Sequence, residues 1–416
     1  MNVIQVNLTF AMLFFLLISC DKPRSEETVF PKPTEECKTS ALKNQYLVRW
    51  SNGQITKEAG ATRDSFIQNF LLPNMNRVDF VENDQRIHLD DTLDSLASPP
   101  DENSDYPDNW GIERIGAAQS WAAGIRGQGI TVAVIDSGVD LEHPSLKNQI
   151  YVNPGESGLD HLGRDKNNNG VDDDDNGLID DVNGYDFAFD SEILTDHSFH
   201  GTHVAGIIAA EHNYVSYQKG HVQGVAPSAR ILPLAFIDSS GGGSLSDAIR
   251  AIDYAVLMGA KIINASWGGA PCSKILGAKI SSLSELNVLF LSAAGNRGVN
   301  IDEQPEYPAS YNLNSQITVG AVGPLNLMAD FSNYGDRNVH LFAPGLRIVS
   351  TVPGGGSRSA TGTSMATPFA SGVAALLWSS RPKATASEIR KALLESVDKD
   401  PSYRNSSQGR LFLKQR

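Results

Sequence analysis

The chain is short of basic residues: 34 Lys and Arg face 48 Asp and Glu, for a formal net charge of −14 over 416 residues, and no basic cluster is evident. Phosphate backbones are bound by clustered cations, so nucleic acid is excluded as a partner. Long apolar runs are missing too. Leu8 to Ile18 is apolar apart from Thr9, too short for a comfortable membrane span but suited to the apolar centre of a secretory signal. No charged residue precedes Asp21, so this start lacks the usual Lys or Arg. Cysteine occurs three times, at Cys20, Cys37 and Cys272, which allows at most one pair beyond Cys20; separation in sequence leaves open whether Cys37 and Cys272 form a disulfide or are two free thiols.

The apolar start ends in Leu17-Ile18-Ser19-Cys20, which resembles a bacterial lipobox. Residues 1–19 then read as a signal peptide and Cys20 as the lipidated first residue of an exported chain, with a plain cleaved signal as the alternative. Residues 20–43 are polar and read as a tether. In 44–90, Tyr46 to Trp50 and Arg77 to Val81 look like strands around a helical stretch, a small α+β unit. Residues 91–106, acidic and Pro-rich, read as a linker open to proteolysis. The main domain is expected over 107–400, with a tail at 401–416.

In the main domain, apolar runs at 130–135, 231–237, 261–266, 288–292, 317–322 and 339–343 alternate with helical patterns such as Ser246 to Met258 and Ile275 to Leu286. Continuous apolar strands separated by helices predict an α/β fold, a three-layer αβα sandwich with a mainly parallel central sheet. Sites in such sheets lie beyond the carboxyl ends of the strands.

Asp136 closes the first of these runs, in Val134-Ile135-Asp136-Ser137-Gly138. His200 opens His200-Gly201-Thr202-His203-Val204-Ala205-Gly206, a helix start whose dipole favours a neutral imidazole. His197, His200 and His203 invite a zinc reading, but no Glu sits between them as in HExxH and no cysteine lies nearby. Ser364 lies in Gly362-Thr363-Ser364-Met365-Ala366-Thr367-Pro368. Small residues there leave its backbone open, and Pro368, expected in the first turn, places the serine at a helix entrance.

Together these three blocks, in this order, resemble the signatures of the subtilisin family of serine proteases, and the likeness covers roughly residues 107 to 395. An α/β-hydrolase would need a histidine after the serine, and none follows Ser364. The resemblance implies a serine endopeptidase acting on polypeptides with no organic cofactor: Ser364 the nucleophile, His200 the base, Asp136 its anchor, and Asn296, in Ser292-Ala293-Ala294-Gly295-Asn296, an oxyanion donor. It places the substrate backbone along Gly242-Gly243-Ser244 and Ser266-Trp267-Gly268-Gly269, with Trp267 larger than the residue common there. Glu306 would form the base of the pocket for the residue before the scissile bond (P1) and favour Lys or Arg, unless Arg297 neutralises it. Residues 44–90 resemble the family's propeptide, an intramolecular inhibitor. Cleavage between about 91 and 109 would free the catalytic domain from the lipid on Cys20 and from the membrane. A dedicated maturation protease for one exported substrate, or a calcium-dependent surface binding module without turnover, are the alternative functions.

Residues 165–187, DKNNNGVDDDDNGLIDDVNGYDF, hold eight Asp and no Glu. In sevens, each unit ends in Asn-Gly and a nonpolar or aromatic residue. Asp165, Asn167 and Asn169, then Asp172, Asp174 and Asn176, alternate before a glycine, as oxygen ligands do around calcium. Asp180 and Asp181 extend the set. No Glu stands twelve residues in, so this is no EF-hand; it looks like calcium loops inserted in some subtilisin relatives. The bland alternative is a solvated acidic loop. The expected role is structural, pinning the loop that enters His200.

Overall fold

The computed structural model describes residues 41–89, 109–212, 222–269, 272–399, 403 and 409–413. The expected signal peptide, Cys20, Cys37 and the linker at 91–106 lie outside the described residues.

The N-terminal unit pairs β1 (Ala41–Trp50) antiparallel with both β2 (Ile55–Ala59) and β3 (Val78–His88). Thr62 caps the helix α1 (Arg63–Phe66) by accepting the Ser65 N–H at 3.1 Å, and the chain stays helical to Asn74. Tyr46, Val48, Phe66, Leu71, Val78 and Val81 form its core, with Tyr46 stacked on Phe66 at 3.9 Å between ring centroids. So small a unit buries little apolar surface by itself. Its β3 continues the pairing onto β7 (Gly242–Ser244) of the main domain, giving the order β2-β1-β3-β7.

The main domain holds a nine-stranded sheet of order β14-β15-β11-β10-β9-β8-β4-β6-β5. The six apolar runs are its β4 (Thr131–Asp136), β6 (Arg230–Ala235), β8 (Ile262–Ala265), β9 (Leu289–Ala293), β10 (Gln316–Val322) and β11 (Leu341–Pro344). The remaining members are β5 (Tyr185–Asp186), β14 (Val397–Asp398) and β15 (Arg410–Leu411), and the pairings are parallel except β14 with β15. Side chains on a strand alternate between faces. Val132 and Val134 accordingly join one core with Val204 and Ile208 of α4 (His200–Ala209) and Val373 of α7 (Thr363–Ser379). Ala133 and Ile135 join the opposite core with Ile249 and Ile252 of α5 (Leu245–Leu257) and Ile280 of α6 (Lys274–Ser282). The short helices α2 (Trp110–Ile115) and α3 (Ala117–Ala122), the hairpin of β12 (Ile348–Val352) and β13 (Gly356–Ala360), and α8 (Ala386–Glu395) complete the domain.

Two details depart from the sequence reading. β15 lies beyond residue 400 yet joins the sheet, where the Phe342 N–H donates to Gly409 O at 3.0 Å; Arg410 and the Leu413 N–H also donate to Arg114 O (2.8 Å) and Ile115 O (2.9 Å), and a two-residue strand has no periodicity to betray it. Pro368 is not in the first turn of α7 but inside the helix, which starts at Thr363. Its missing N–H leaves the Ser364 carbonyl without the usual helical donor, and Ser266 Oγ–H donates there instead, at 2.9 Å.

Candidate active site

β4 delivers Asp136, fully buried, to the carboxyl end of the sheet, and its Oδ1 accepts the Ser137 N–H at 2.8 Å. His200 Nδ1 lies 2.7 Å from the same oxygen, with the imidazole also buried. An ionised carboxylate only accepts, so Nδ1 carries the proton and Nε2 is the basic nitrogen. Asp136 Oδ2 has no hydrogen-bond partner among the described residues. A buried carboxylate left half-satisfied is costly, and an imidazolium forming beside it would offset that cost.

The start of α4 is built to hold His200. Phe199, its N-cap, makes no side-chain cap bond. Asp196 takes over: it accepts the Thr202 N–H at 2.9 Å, the Ser198 N–H at 3.0 Å and the Ser137 hydroxyl at 2.7 Å. Ser198 Oγ accepts the His200 N–H at 3.1 Å. Burial pushes Asp196 above the usual carboxylate range while these donors pull it back. A β-carbon on Gly201 would come within 2.0 Å of Gly138 O, so only glycine lets this turn press against the loop after β4. Asp196 and Ser198 were not singled out from sequence; an acid and a serine just before a helix was the available signal.

Ser364, in the first turn of α7, is 8% exposed, and its hydroxyl donates to Ser266 O at 3.1 Å. Asn296 Oδ1 accepts from both the Thr363 N–H (2.8 Å) and the Thr363 hydroxyl (3.0 Å), which fixes the amide's orientation. The position a β-carbon would take on Gly362 is 3.5 Å from Asn296 Nδ2 and 3.6 Å from Ser364 N. Asn296 Nδ2 and Ser364 N thus both border the open space at Gly362, and these are the two groups an oxyanion would need as donors.

Gly242, Gly243 and Ser244 form β7, which pairs with His88, Ile87 and Arg86, and the Leu89 N–H donates to Gly241 O at 2.8 Å. Gly268 bridges to His88 as well. The end of β3 therefore lies between the two expected substrate edges. Glu82 of β3 accepts from Ser273 Oγ–H and from the Lys274 N–H at the start of α6, and Asp84 accepts from Ser246 N (3.0 Å) and Oγ (2.7 Å) at the start of α5. Two alternate carboxylates on one strand face thus complement two helix dipoles, a pattern the sequence reading passed over. Burial raises Glu82 to about 7.

Trp267 does not wall a pocket. Its ring is 1% exposed in the core against Phe236 and Phe290, and Nε1–H donates to Ile135 O at 2.9 Å. Glu306 is buried and paired: Arg297 Nε–H donates to Oε1, and Asn333 Nδ2–H to Oε2 at 2.9 Å. The carboxylate thus already has its cation.

His197, His200 and His203 face three different acceptors, Asp186, Asp136 and Arg358 O, and do not converge on a metal. Burial holds His203 neutral, down to about 3. In the acidic loop, most expected ligands hold turns. Asp165 accepts from Asn167 N, Asn169 from Val171 N, Asp172 from Asn176 N and Gly177 N, and Asp180 from Gly170 N. Asn176 Nδ2–H donates to Asp181 at 2.9 Å. Asp174 and Asp181 instead meet Glu156, with a carboxylate oxygen of each within 4.8 Å of the others. Glu156 is fully buried; Oε1 accepts the Asp173 N–H at 2.7 Å and Oε2 has no partner among the described residues. Three hard oxygen donors, one orphaned and buried, fit a calcium-type cation. Glu156 lies outside the repeats, so periodicity could not find it.

The model of the Subtilase family matches residues 127–410. Among curated proteins, the chain is 31% identical over 319 residues to the minor extracellular protease Epr of Bacillus subtilis, covering 76% of this chain and 43% of Epr. It is 36% identical over 285 residues to subtilisin NAT of Bacillus subtilis subsp. natto, covering 68% of this chain and 64% of that one. It is 35% identical over 285 residues to the subtilisin of Bacillus pumilus, covering 68% of this chain and 89% of that one. Among solved structures, a cold-adapted subtilisin-like serine proteinase superposes with a TM-score of 0.57 at 28% identity, over 74% of this chain and 98% of that one. The chain thus spans less than half the length of Epr and under two thirds of subtilisin NAT.

Proposed function

Because the chain belongs to the subtilase family, we propose that it is an exported serine endopeptidase, made as a self-processing zymogen and stabilised by calcium. The observation that carries the activity is the buried Asp136–His200 contact, with a serine in the first turn of α7 whose backbone N borders one open space together with Asn296 Nδ2. Ser364 Oγ turns from Ser266 O toward His200 and attacks the scissile carbonyl as His200 Nε2 takes its proton. The oxyanion settles between Asn296 Nδ2–H and Ser364 N–H, and the imidazolium beside Asp136 passes its proton to the leaving amine. Water then repeats the sequence on the acyl-enzyme and restores Ser364. The side-chain donor contributes about 3–4 kcal/mol, the magnitude established for this family.

Strand β3 supports the zymogen reading, since Arg86 to Leu89 run along the edges a substrate backbone would use. In this reading residues 44–90 are the propeptide, Cys20 carries the lipid before processing, and the cut falls between about 91 and 109. Glu156, Asp174 and Asp181 would hold the calcium, which offsets their mutual repulsion and takes no part in bond cleavage. Glu306 would lie at the base of the P1 pocket, where Lys or Arg is favoured only if Arg297 gives way. Purified wild type should react with a serine-directed fluorophosphonate and show a new N-terminus between 91 and 109, while Ser364→Ala does neither. A wild type that stays whole and unlabelled, even after a protease cuts the linker, would sink the reading.

A further inference from the structure

Cys272, two residues before α6, is disulfide-bonded. The chain has three cysteines, and the other two, Cys20 and Cys37, both precede β1 and lie outside the described residues. Whichever is the partner, the bond joins the two sides of the expected processing region. Placement favours Cys37. β1 starts at Ala41, which pairs with Gln85 of β3, and Glu82 of that strand accepts from Ser273 and Lys274, the two residues after Cys272. From Cys37 to Ala41 the backbone reaches at most about 14 Å, which ties position 37 to the start of β1, whereas Cys20 lies 21 residues from Ala41.

We infer that a Cys37–Cys272 disulfide keeps the propeptide covalently on the catalytic domain after processing, so the cut enzyme is a two-chain molecule still joined to its inhibitor and to the lipid on Cys20. The inference rests on the zymogen reading above. Hydrolysis at 91–109 adds one water and breaks one peptide bond, leaving the disulfide whole. A tethered inhibitor stays at an effective concentration of about millimolar, so dilution does not release it. Release needs a second step. Either an external dithiol is oxidised to a disulfide while this bond takes up two electrons and two protons to give two thiols, or a second peptide bond is cut between Cys37 and β1.

The test uses the full-length chain carrying Ser364→Ala and an inserted recognition sequence for a site-specific protease within 91–109, so it does not depend on self-processing. After cutting, thiols are blocked with an alkylating agent and the protein is denatured. The expected result is a single species without reductant, heavier by one water than before the cut, and two pieces with reductant; adding Cys37→Ser should separate the pieces without reductant. Two pieces without reductant, or alkylation of Cys272 before reduction, overturns the inference. Persistence of the link in Cys37→Ser with its loss in Cys20→Ser overturns the assignment to Cys37. The wild type is run in parallel, and absence of its own cut counts against the zymogen reading alone.

Discussion

Replacing Glu156 with Gln tests the cation site by a change of sign. The three carboxylates approach within 4.8 Å; at an effective dielectric of 20, each fully ionised pair repels by about 3.5 kcal/mol, so the trio costs about 10 kcal/mol without a counter-charge. Burial raises Glu156 and Asp181, with Asp181 and Asp174 adding to the former and Asp174 to the latter. A divalent cation bound at a hundred times its dissociation constant contributes about 2.7 kcal/mol, or about 4–5 °C in melting temperature for a domain of this size. Calorimetry on a Ser364→Ala background, to prevent self-digestion, should therefore show excess chelator lowering the melting temperature by about that much. In saturating calcium Glu156→Gln should melt lower than its parent, and in chelator at or above it, because one repelling charge is gone. The pH dependence has a definite sign: carboxylates raised in the folded state contribute stability below their unfolded pKa, about 4, and lose it as pH rises through the folded value. The chelator effect should therefore shrink as pH falls from 7 toward 5. A melting temperature indifferent to chelator, or a Glu156→Gln protein more stable than its parent in calcium, would refute the site.

Asn296→Ala should lower kcat by about 100–1,000-fold with the fold intact, read by peptide hydrolysis beside a melting curve. Arg297→Ala should remove the cation on Glu306, leaving Asn333 on Oε2, and shift the P1 preference toward Lys and Arg, measured with peptides bearing Arg, Leu or Phe; an unchanged ranking would remove Glu306 from the P1 pocket. Glu82 is raised to about 7, chiefly by burial, so under the zymogen proposal the hold of β3 on the main domain should be fullest below the free carboxylate value and weaken as pH climbs through 7. Glu82→Gln should flatten that dependence in a comparison of residual inhibition from pH 6 to pH 8.

The parts of the site that could be read from the sequence are those where chemistry and chain continuity coincide. His200 and Gly201 are neighbours because the helix turn that aims the imidazole must also pack on Gly138, so one short block records both needs. β4, β6 and β8 to β11 could be read as continuous apolar runs because helices cover both faces of the sheet. What sequence could not reveal depends on distant residues meeting. The resemblance puts Trp267 on a substrate edge, as a residue larger than is common there; only the core positions of Phe236 and Phe290 show where its ring goes. Whether Arg297 pairs with Glu306 stayed open in the sequence and is decided only by their meeting in the fold, and Glu156 reaches Asp174 and Asp181 only through the fold.

The same reasoning joins the acidic loop to the catalytic base without direct contact. Asp181 accepts the Tyr254 hydroxyl of α5, which ties the loop to a helix on the far face of the sheet. Gly184 packs so tightly that an added β-carbon would fall 2.0 Å from Pro233 O, and β5 follows directly, in register with β6. Asp186 at the end of β5 lies 2.6 Å from His197 Nε2, and the next residues, Asp196 and Ser198 on either side, hold the first turn of α4. Each link fixes backbone position, and none places a charge of the loop beside Asp136 or His200. An ion in the cluster would therefore govern how long the entry to α4 keeps its shape, not the basicity of His200. Chelation should shorten the lifetime of activity at elevated temperature while leaving the pH profile of kcat where it was, and a shifted profile would mean the loop reaches the base by some other route.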